Sequence, residues 1–555
     1  MAISTSLLLT MLACGSDDNG ATDAGNVNDA SQIADASVTD ADSPDSGGVA
    51  TVETFRNPPE IVATPGVVVQ LEVKPAAVAI GNATYCLRTY NGAVPGPTIR
   101  VPASATPRQI RVDLANQLQN PDFQPVGQST FYDFNTTNLH THGLHVAPQF
   151  TADSAFMSDN VLFELGVQST QGYRFDIDEN GTTHEAGSFL YQPQVHGSAA
   201  IQIANGMTGA IIVEGAVDEL ASIADAKERV FVLQHTPHNE DLPLANGEAC
   251  TEANLSVNTF TKAAAVDTPI LVNGLVEPTL VLAPGDVERW RFSHAGVDAD
   301  MTLSLRAADE GSCASPGSTT LTMNQIAADG FTMPQKLPRQ ELQLSPGYRA
   351  DVLVEAPASE GLYCLIGKVP ALGGLGMTVD HMVASVVVEV GPEATGAVVS
   401  DAELAAVATP TIDCAAAVDG NQNATFSQLV DGNTGAPCEG GPGGAGLKFN
   451  INCRSFDPAN PRVLQLGQTE EWGLNAGSAD HVFHMQVNPF TVCDGTVDGQ
   501  ALAFPHWRDT LKIREQDGTT TVRSQYQHFT GSFTLQTQKA THQDRGTKEL
   551  VRIDP

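Results

Sequence analysis

The chain has 555 residues, 64 acidic against 28 basic, for a formal net charge of −36. That length exceeds a single hydrophobic core and predicts roughly three domains. The negative balance argues against nucleic acid and anionic lipid surfaces as partners of the chain as a whole.

In chain order, residues 1–14 read as an export signal, a short apolar run ending in small residues and Cys14. This resembles a bacterial lipoprotein signal cleaved before the cysteine. A start codon placed upstream of an ordinary secreted protein is the alternative. The run is too short to span a bilayer as a helix. Residues 15–51 are rich in Asp, Ser, Ala and Gly, with almost no large apolar side chain, and so cannot bury a core. They predict a disordered acidic tether. The expectation is an exported protein of the cell envelope or cell surface, held to the membrane only through a lipid on Cys14. Of nine cysteines, the eight after Cys14 are an even set, which predicts disulfides in an exported chain. None stands in a Cys-x-x-Cys pair, so a zinc ribbon is not expected.

From residue 52 onward the pattern is β. Runs such as QIRVDL, GAIIVEG, RVFVLQH and RADVLVEA alternate or are β-branched, and Gly, Pro, Asn and Asp turns separate them. Helical periodicity is confined to DAELAAVA at 401–408. Short strands with turn punctuation predict an all-β chain of sandwiches. Breaks near 211–219 and 388–404 place the three domains at 52–218, 225–395 and 405–555. A Gly-rich loop at 438–446 interrupts the last.

The first chemically informative stretch is NLHTHGLH at 138–145. Side chains alternate along a strand, so His140 and His142 share a face, as metal-binding imidazoles do. Further segments stand in order with it: NGAVPGPTIRV (91–101), FLYQPQVHGSAAIQIANGMTGAIIVEG (189–215), LSPGYRADVLVEAP (344–357), HVFHMQVNPFTV (481–492), WRDTLKI (507–513) and YQHFTGSFTLQTQKATHQDRG (526–546). Together they resemble the multicopper oxidases, the three-cupredoxin group that includes laccases, over nearly the whole chain after the tether.

The resemblance implies three consecutive cupredoxin-like (plastocyanin-like) sandwiches, a blue copper site of two His, a Cys thiolate and a weak axial ligand, and a copper cluster held by four His-x-His pairs. The first pair is His140 and His142. The second, normally Tyr-His-Pro-His, is here Tyr191-Gln192-Pro193-Gln194. In the third, His481 matches a blue-site ligand and His484 a cluster ligand, but Gln486 replaces the last His. The fourth, normally His-Cys-His, is Gln536-Thr537-Gln538, with His542 at the second blue-site position and Thr547 at the axial one. The cluster therefore keeps His140, His142 and His484, and the blue site keeps His481 and His542.

An amide is a weak copper ligand, and a threonine hydroxyl is neither soft nor a comparable electron conduit. The expectation is that four-electron oxygen reduction is lost, with the Gln side chains joined in a buried hydrogen-bonded network. The first reading is a degenerate oxidase scaffold that binds or supports an unidentified small molecule or protein. The second is a copper-dependent oxidoreductase using a residual mononuclear site at His140, His142 and His484, and the third is a copper or zinc carrier. Copper is expected at partial occupancy at most or not at all, and in the latter case the three imidazoles are expected to be buried, neutral and hydrogen-bonded to their Gln neighbours. His145, His184, His196 and His528 match positions that are not ligands and read as packing or hydrogen-bonding residues. His235, His238 and His506 lie outside the motifs and read as surface or supporting residues. No nucleophile elbow, phosphate loop or dinucleotide fingerprint is present.

Overall fold

The computed structural model describes residues 53–119, 131–178, 184–235, 243–255, 268–370, 378–391, 395–429 and 448–555. Cys14, the tether, Cys438, the Gly-rich loop and His238 lie outside the described residues.

Apart from a two-stranded ribbon of Thr496–Val497 and Gln500–Ala501, the described strands sort into three pairs of sheets, each pair drawn from one stretch of chain. In the first, Ala83–Tyr90, Val69–Ile80, Gln109–Asn116 and Ser169–Asp176 face a five-stranded sheet ending in Gly187–Gln192 and His140–His142. In the second, a seven-stranded sheet containing Val287–His294 and Arg349–Glu355 pairs with one containing Met301–Asp309 and Gly361–Pro370. In the third, a six-stranded sheet containing Thr469–Ala476 pairs with a five-stranded one containing Thr510–Ile513, His481–Met485 and Gly531–Thr537. The chain is three cupredoxin-like sandwiches.

The residue pattern accounts for the local structure. In Gln109–Asn116 burial alternates strictly, with Ile110, Val112, Leu114 and Asn116 inward, the signature of a strand with one wet face. The strands His140–His142, Gly187–Gln192 and His481–Met485 are instead buried throughout. They lie where one sandwich packs on another. Accordingly, the apolar cores of the first and third sandwiches merge into one cluster, and Val482 packs into the core of the second.

The second and third sandwiches are also joined by charge. Arg349 forks onto Asp509 across the junction, Arg508 donates to Asp329 at 2.7 Å, and all four side chains are buried. Bridges Cys86–Cys250 and Cys414–Cys493 tie a loop to a strand, Cys313–Cys364 joins the strands Ser312–Leu321 and Gly361–Pro370, and Cys453 is disulfide-bonded as well. The disulfide expectation holds for every cysteine among the described residues.

The helix expectation needs correcting. Asp401–Val407 is helical and capped by Ser400 and Glu403, but Ala199–Ala204 is a second helix, inside a segment that showed no helical period. All six of its residues are buried, so it has no polar face to mark the turn. Among the described residues no helix is long and apolar enough to cross a membrane.

Candidate metal centre

The centre is set by strand register. His140 stands opposite Gln192, and His484 stands opposite Gln536 on one side and Thr510 on the other. Residues directly opposite share a face, so His484, Gln536 and Gln538 look toward the first sandwich. Phe483 pairs with Thr537 on the other face, where His481 also belongs because it is three residues from His484. The odd spacing in His481-Val-Phe-His484 thus sends one imidazole to the sandwich junction and the other into the third sandwich.

At the junction His140, His142 and His484 meet, fully buried, with one ring nitrogen of each within 4.8 Å of the others. The rings of His142 and His484 stack at 3.9 Å, and His140 stands 5.7 and 5.9 Å from them.

Their hydrogen bonds fix all three tautomers. Nδ1 of His140 lies 3.0 Å from both carboxylate oxygens of Asp159 and must donate to them. Nδ1 of His484 donates to the Asp509 carbonyl at 2.9 Å. The Thr510 hydroxyl gives its proton to Asp509 at 2.6 Å, so it accepts from Nε2 of His142 at 2.9 Å. The remaining nitrogens, Nε2 of His140, Nδ1 of His142 and Nε2 of His484, carry lone pairs and have no hydrogen-bond partner. A ring whose outer N–H is held by a carboxylate or carbonyl while its inner nitrogen is free is arranged for a metal ion.

Electrostatics keep His142 and His484 neutral. Burial, followed by the neighbouring His484, pushes His142 well below the ordinary imidazole value. Burial also lowers His484. Burial alone would raise Asp509, but the Arg349 guanidinium and its hydrogen bonds hold it well below the usual carboxylate range.

The amides surrounding the centre form only part of the expected network. Gln486 donates to the Asp159 carbonyl at 3.0 Å and accepts from the Thr534 N–H at 3.0 Å. Gln536 accepts from the Thr534 hydroxyl and donates to Gln543 at 3.3 Å and Gln538 at 3.5 Å. Gln192 and Gln194 stand outside the network, with Nε2 of each and Oε1 of Gln194 unpaired. Gln543 was not singled out by sequence, because it matches no ligand position; its partnership with Gln536 shows only in three dimensions.

This donor set does not fit a trinuclear copper cluster, since five of its positions hold amides in place of imidazoles. It fits one ion on three imidazoles. The blue-site position fails for another reason. His481 and His542 face each other with ring centroids 5.6 Å apart and Nδ1 of each unpaired, but Thr537 supplies a hydroxyl that accepts from the Val482 N–H at 3.3 Å. Cys493, nearest in sequence, is bonded to Cys414 and offers no thiolate. Burial pushes both imidazoles down to about 3.

The remaining histidines sort by contact. His145 accepts or donates with His528 at 2.8 Å, and the N–H of His145 donates to His184 at 2.8 Å, so these three are structural links. His235 and His506 are 5 % and 6 % exposed, which corrects the surface alternative for both.

No family model matches the chain. It is 23% identical to a laccase of Bacillus subtilis over 295 residues, 51% of this chain and 53% of that one. To the cell division protein FtsP of Gallibacterium anatis it is 24% identical over 353 residues, 61% of this chain and 65% of the relative. The chain thus spans about half the length of the first curated relatives it matches. Among solved structures, the McoA multicopper oxidase of Aquifex aeolicus superposes with a TM-score of 0.68 at 15% identity, covering 91% of this chain and 100% of that one. With the order of its sequence segments, its three sandwiches and these relatives in agreement, the chain has the multicopper-oxidase fold and is similar in sequence to laccases and multicopper oxidases, with amides and a hydroxyl at most of the matching copper-ligand positions.

Proposed function

We propose that this chain is a multicopper-oxidase scaffold without four-electron oxidase chemistry, exported, anchored through a lipid on Cys14, and acting in the cell envelope as a binding or structural protein. The observation that carries the reading is the donor set: Gln192, Gln194, Gln486, Gln536 and Gln538 stand where the family places cluster imidazoles, and Thr537 where it places the thiolate. An amide carbonyl and a neutral hydroxyl are poor ligands for copper. The disulfides fit an oxidising compartment outside the cytosol, and the likeness to a protein named for cell division fits a role other than oxidation. The purified, copper-loaded protein is expected to be colourless and to consume no oxygen with phenolic or metal-ion substrates. Oxygen uptake above the buffer rate would end this reading.

A second reading is favoured by one specific observation, that His140, His142 and His484 meet fully buried, each with one ring nitrogen that has no hydrogen-bond partner. In this reading the scaffold keeps a mononuclear Cu(II) or Zn(II) site, as a carrier or a residual copper-dependent oxidoreductase. Calorimetry with both ions on the wild type and on His484→Ala tests it. Saturable binding of one ion per chain, lost in His484→Ala, is the expected result; equal binding by the two proteins would place the ion elsewhere.

A further inference from the structure

Away from the histidine centre, Lys548 opens the final strand Lys548–Asp554, and the residue is 4 % exposed. A buried ammonium ordinarily sits against a carboxylate, because desolvation without a counter-charge is strongly unfavourable. Lys548 forms no ion pair among the described residues; its Nζ lies over the Phe456 ring, 5.3 Å from the centroid. Asp544 is near enough to act on it through space. The Asp544 oxygens, however, accept from the N–H groups of Gly197 at 3.1 Å and Ala200 at 2.8 Å.

Lys548 lines a cleft of about 420 Å³ together with Arg454, Ser455, Asp457, Asn460 and Glu549. The carboxylates of this cleft are already engaged. Glu549 is forked by Arg462 at 3.1 and 2.9 Å, and Asp457 accepts from the Ala459 N–H at 3.0 Å and the Asn460 amide at 2.5 Å. The exposed Arg454 guanidinium has no ion pair among the described residues. In a chain with 64 acidic and 28 basic residues, two cations that share a cleft and make no ion-pair contact with a carboxylate among the described residues are not explained by a shortage of acids.

We propose that this cleft binds a small oxyanion, a carboxylate or phosphate group held between the Lys548 ammonium and the Arg454 guanidinium. The guanidinium presents paired N–H donors matched to two oxygens of such a group, and the ammonium adds a point charge from the buried side. The Ser455 hydroxyl is a further donor on the cleft wall. The volume suits a ligand of modest size. The cleft shares no lining residue with His140, His142 and His484, so the proposal does not depend on the metal reading.

Calorimetry of the full chain with sodium phosphate, sodium sulfate and sodium succinate, each against sodium chloride at matched ionic strength, tests it. At least one oxyanion is expected to bind saturably at one site per chain. Preference for phosphate identifies a phosphoryl ligand and preference for succinate a dicarboxylate. Arg454→Gln, at an exposed position, is expected to weaken binding tenfold or more while its unliganded melting curve matches the wild type. Lys548→Met is expected to weaken it at least as much. Heats no larger than those of chloride for all three anions, or wild-type affinity in Arg454→Gln, would overturn the proposal.

Discussion

A single carboxylate decides whether His140 is a ligand or a packing residue. With Asp159 accepting at Nδ1, the lone pair of His140 lies on Nε2 and faces the centre. Asp159→Asn keeps the shape and removes the charge. If an ion binds there, its affinity is expected to fall by about ten- to a hundredfold, the usual effect of losing such an outer partner, as read by competition with a chelator. An unchanged affinity would show that Asp159 does not orient the ring. At the old blue site, Thr537→Cys places a thiolate on the face that carries His481, with Nδ1 of His481 and His542 still unpaired. Copper-loaded Thr537→Cys is expected to gain an intense visible absorption that the wild type lacks; a colourless variant would mean these imidazoles do not converge on position 537. The candidate ligands were legible in the sequence because each stands in a short motif with fixed spacing. Their tautomers were not, since Asp159 lies 19 residues from His140, and Asp509 lies 25 residues from His484.

At the scale of elements, alternation along a strand carried most of the reading. The His-x-His spacing placed His140 and His142 on one face, and the register adds that His481 and His484, three residues apart, lie on opposite faces. What alternation cannot show is a turn fixed by a neighbouring sandwich. Gly143 follows the His pair at φ 94°, and a Cβ there would stand 2.2 Å from Nη2 of Arg349 and 2.5 Å from Oδ2 of Asp509. Gly143→Ala therefore meets both a left-handed backbone and a buried ion pair. A loss of about 2–4 kcal/mol is expected from denaturant midpoints, and an unaffected midpoint would mean the junction relaxes freely. The helix Ala199–Ala204 escaped the sequence for the converse reason. An element buried on every side shows no period, only composition.

At the scale of the whole molecule, the sandwiches close over an unusual number of neutral imidazoles. Burial, the first cause in each case, pushes His145, His481 and His542 down to about 3, and His184, His294 and His506 down to about 4. The unfolded chain protonates the same groups near about 6.5. Each folded value lies below its unfolded value, so the unfolded state takes up the proton first. Their contribution to stability is fully present above about pH 6.5 and is lost as pH falls from there toward 3. Asp544 runs the other way: raised by burial from 3.8 to about 6, it gains a proton on folding in part of that window and offsets a fraction of the loss. Other buried carboxyls, among them Asp298 and Asp329, are raised in the same sense. Carboxylates that are buried yet held low by cations, among them Asp218, Asp300 and Asp509, lose stability in acid alongside the six imidazoles, which leaves a net loss. The urea midpoint is therefore expected to be level between about pH 7 and 8 and to fall steadily below about 6.5. His481→Phe keeps an aromatic ring beside Phe426, 5.6 Å from His481 in the wild type, and removes one titrating group. Its midpoint is expected to fall less steeply with pH than that of the wild type. A wild-type midpoint that held level down to pH 5 would mean these histidines reach solvent without unfolding, and that the sandwiches are not sealed against each other as their packing implies.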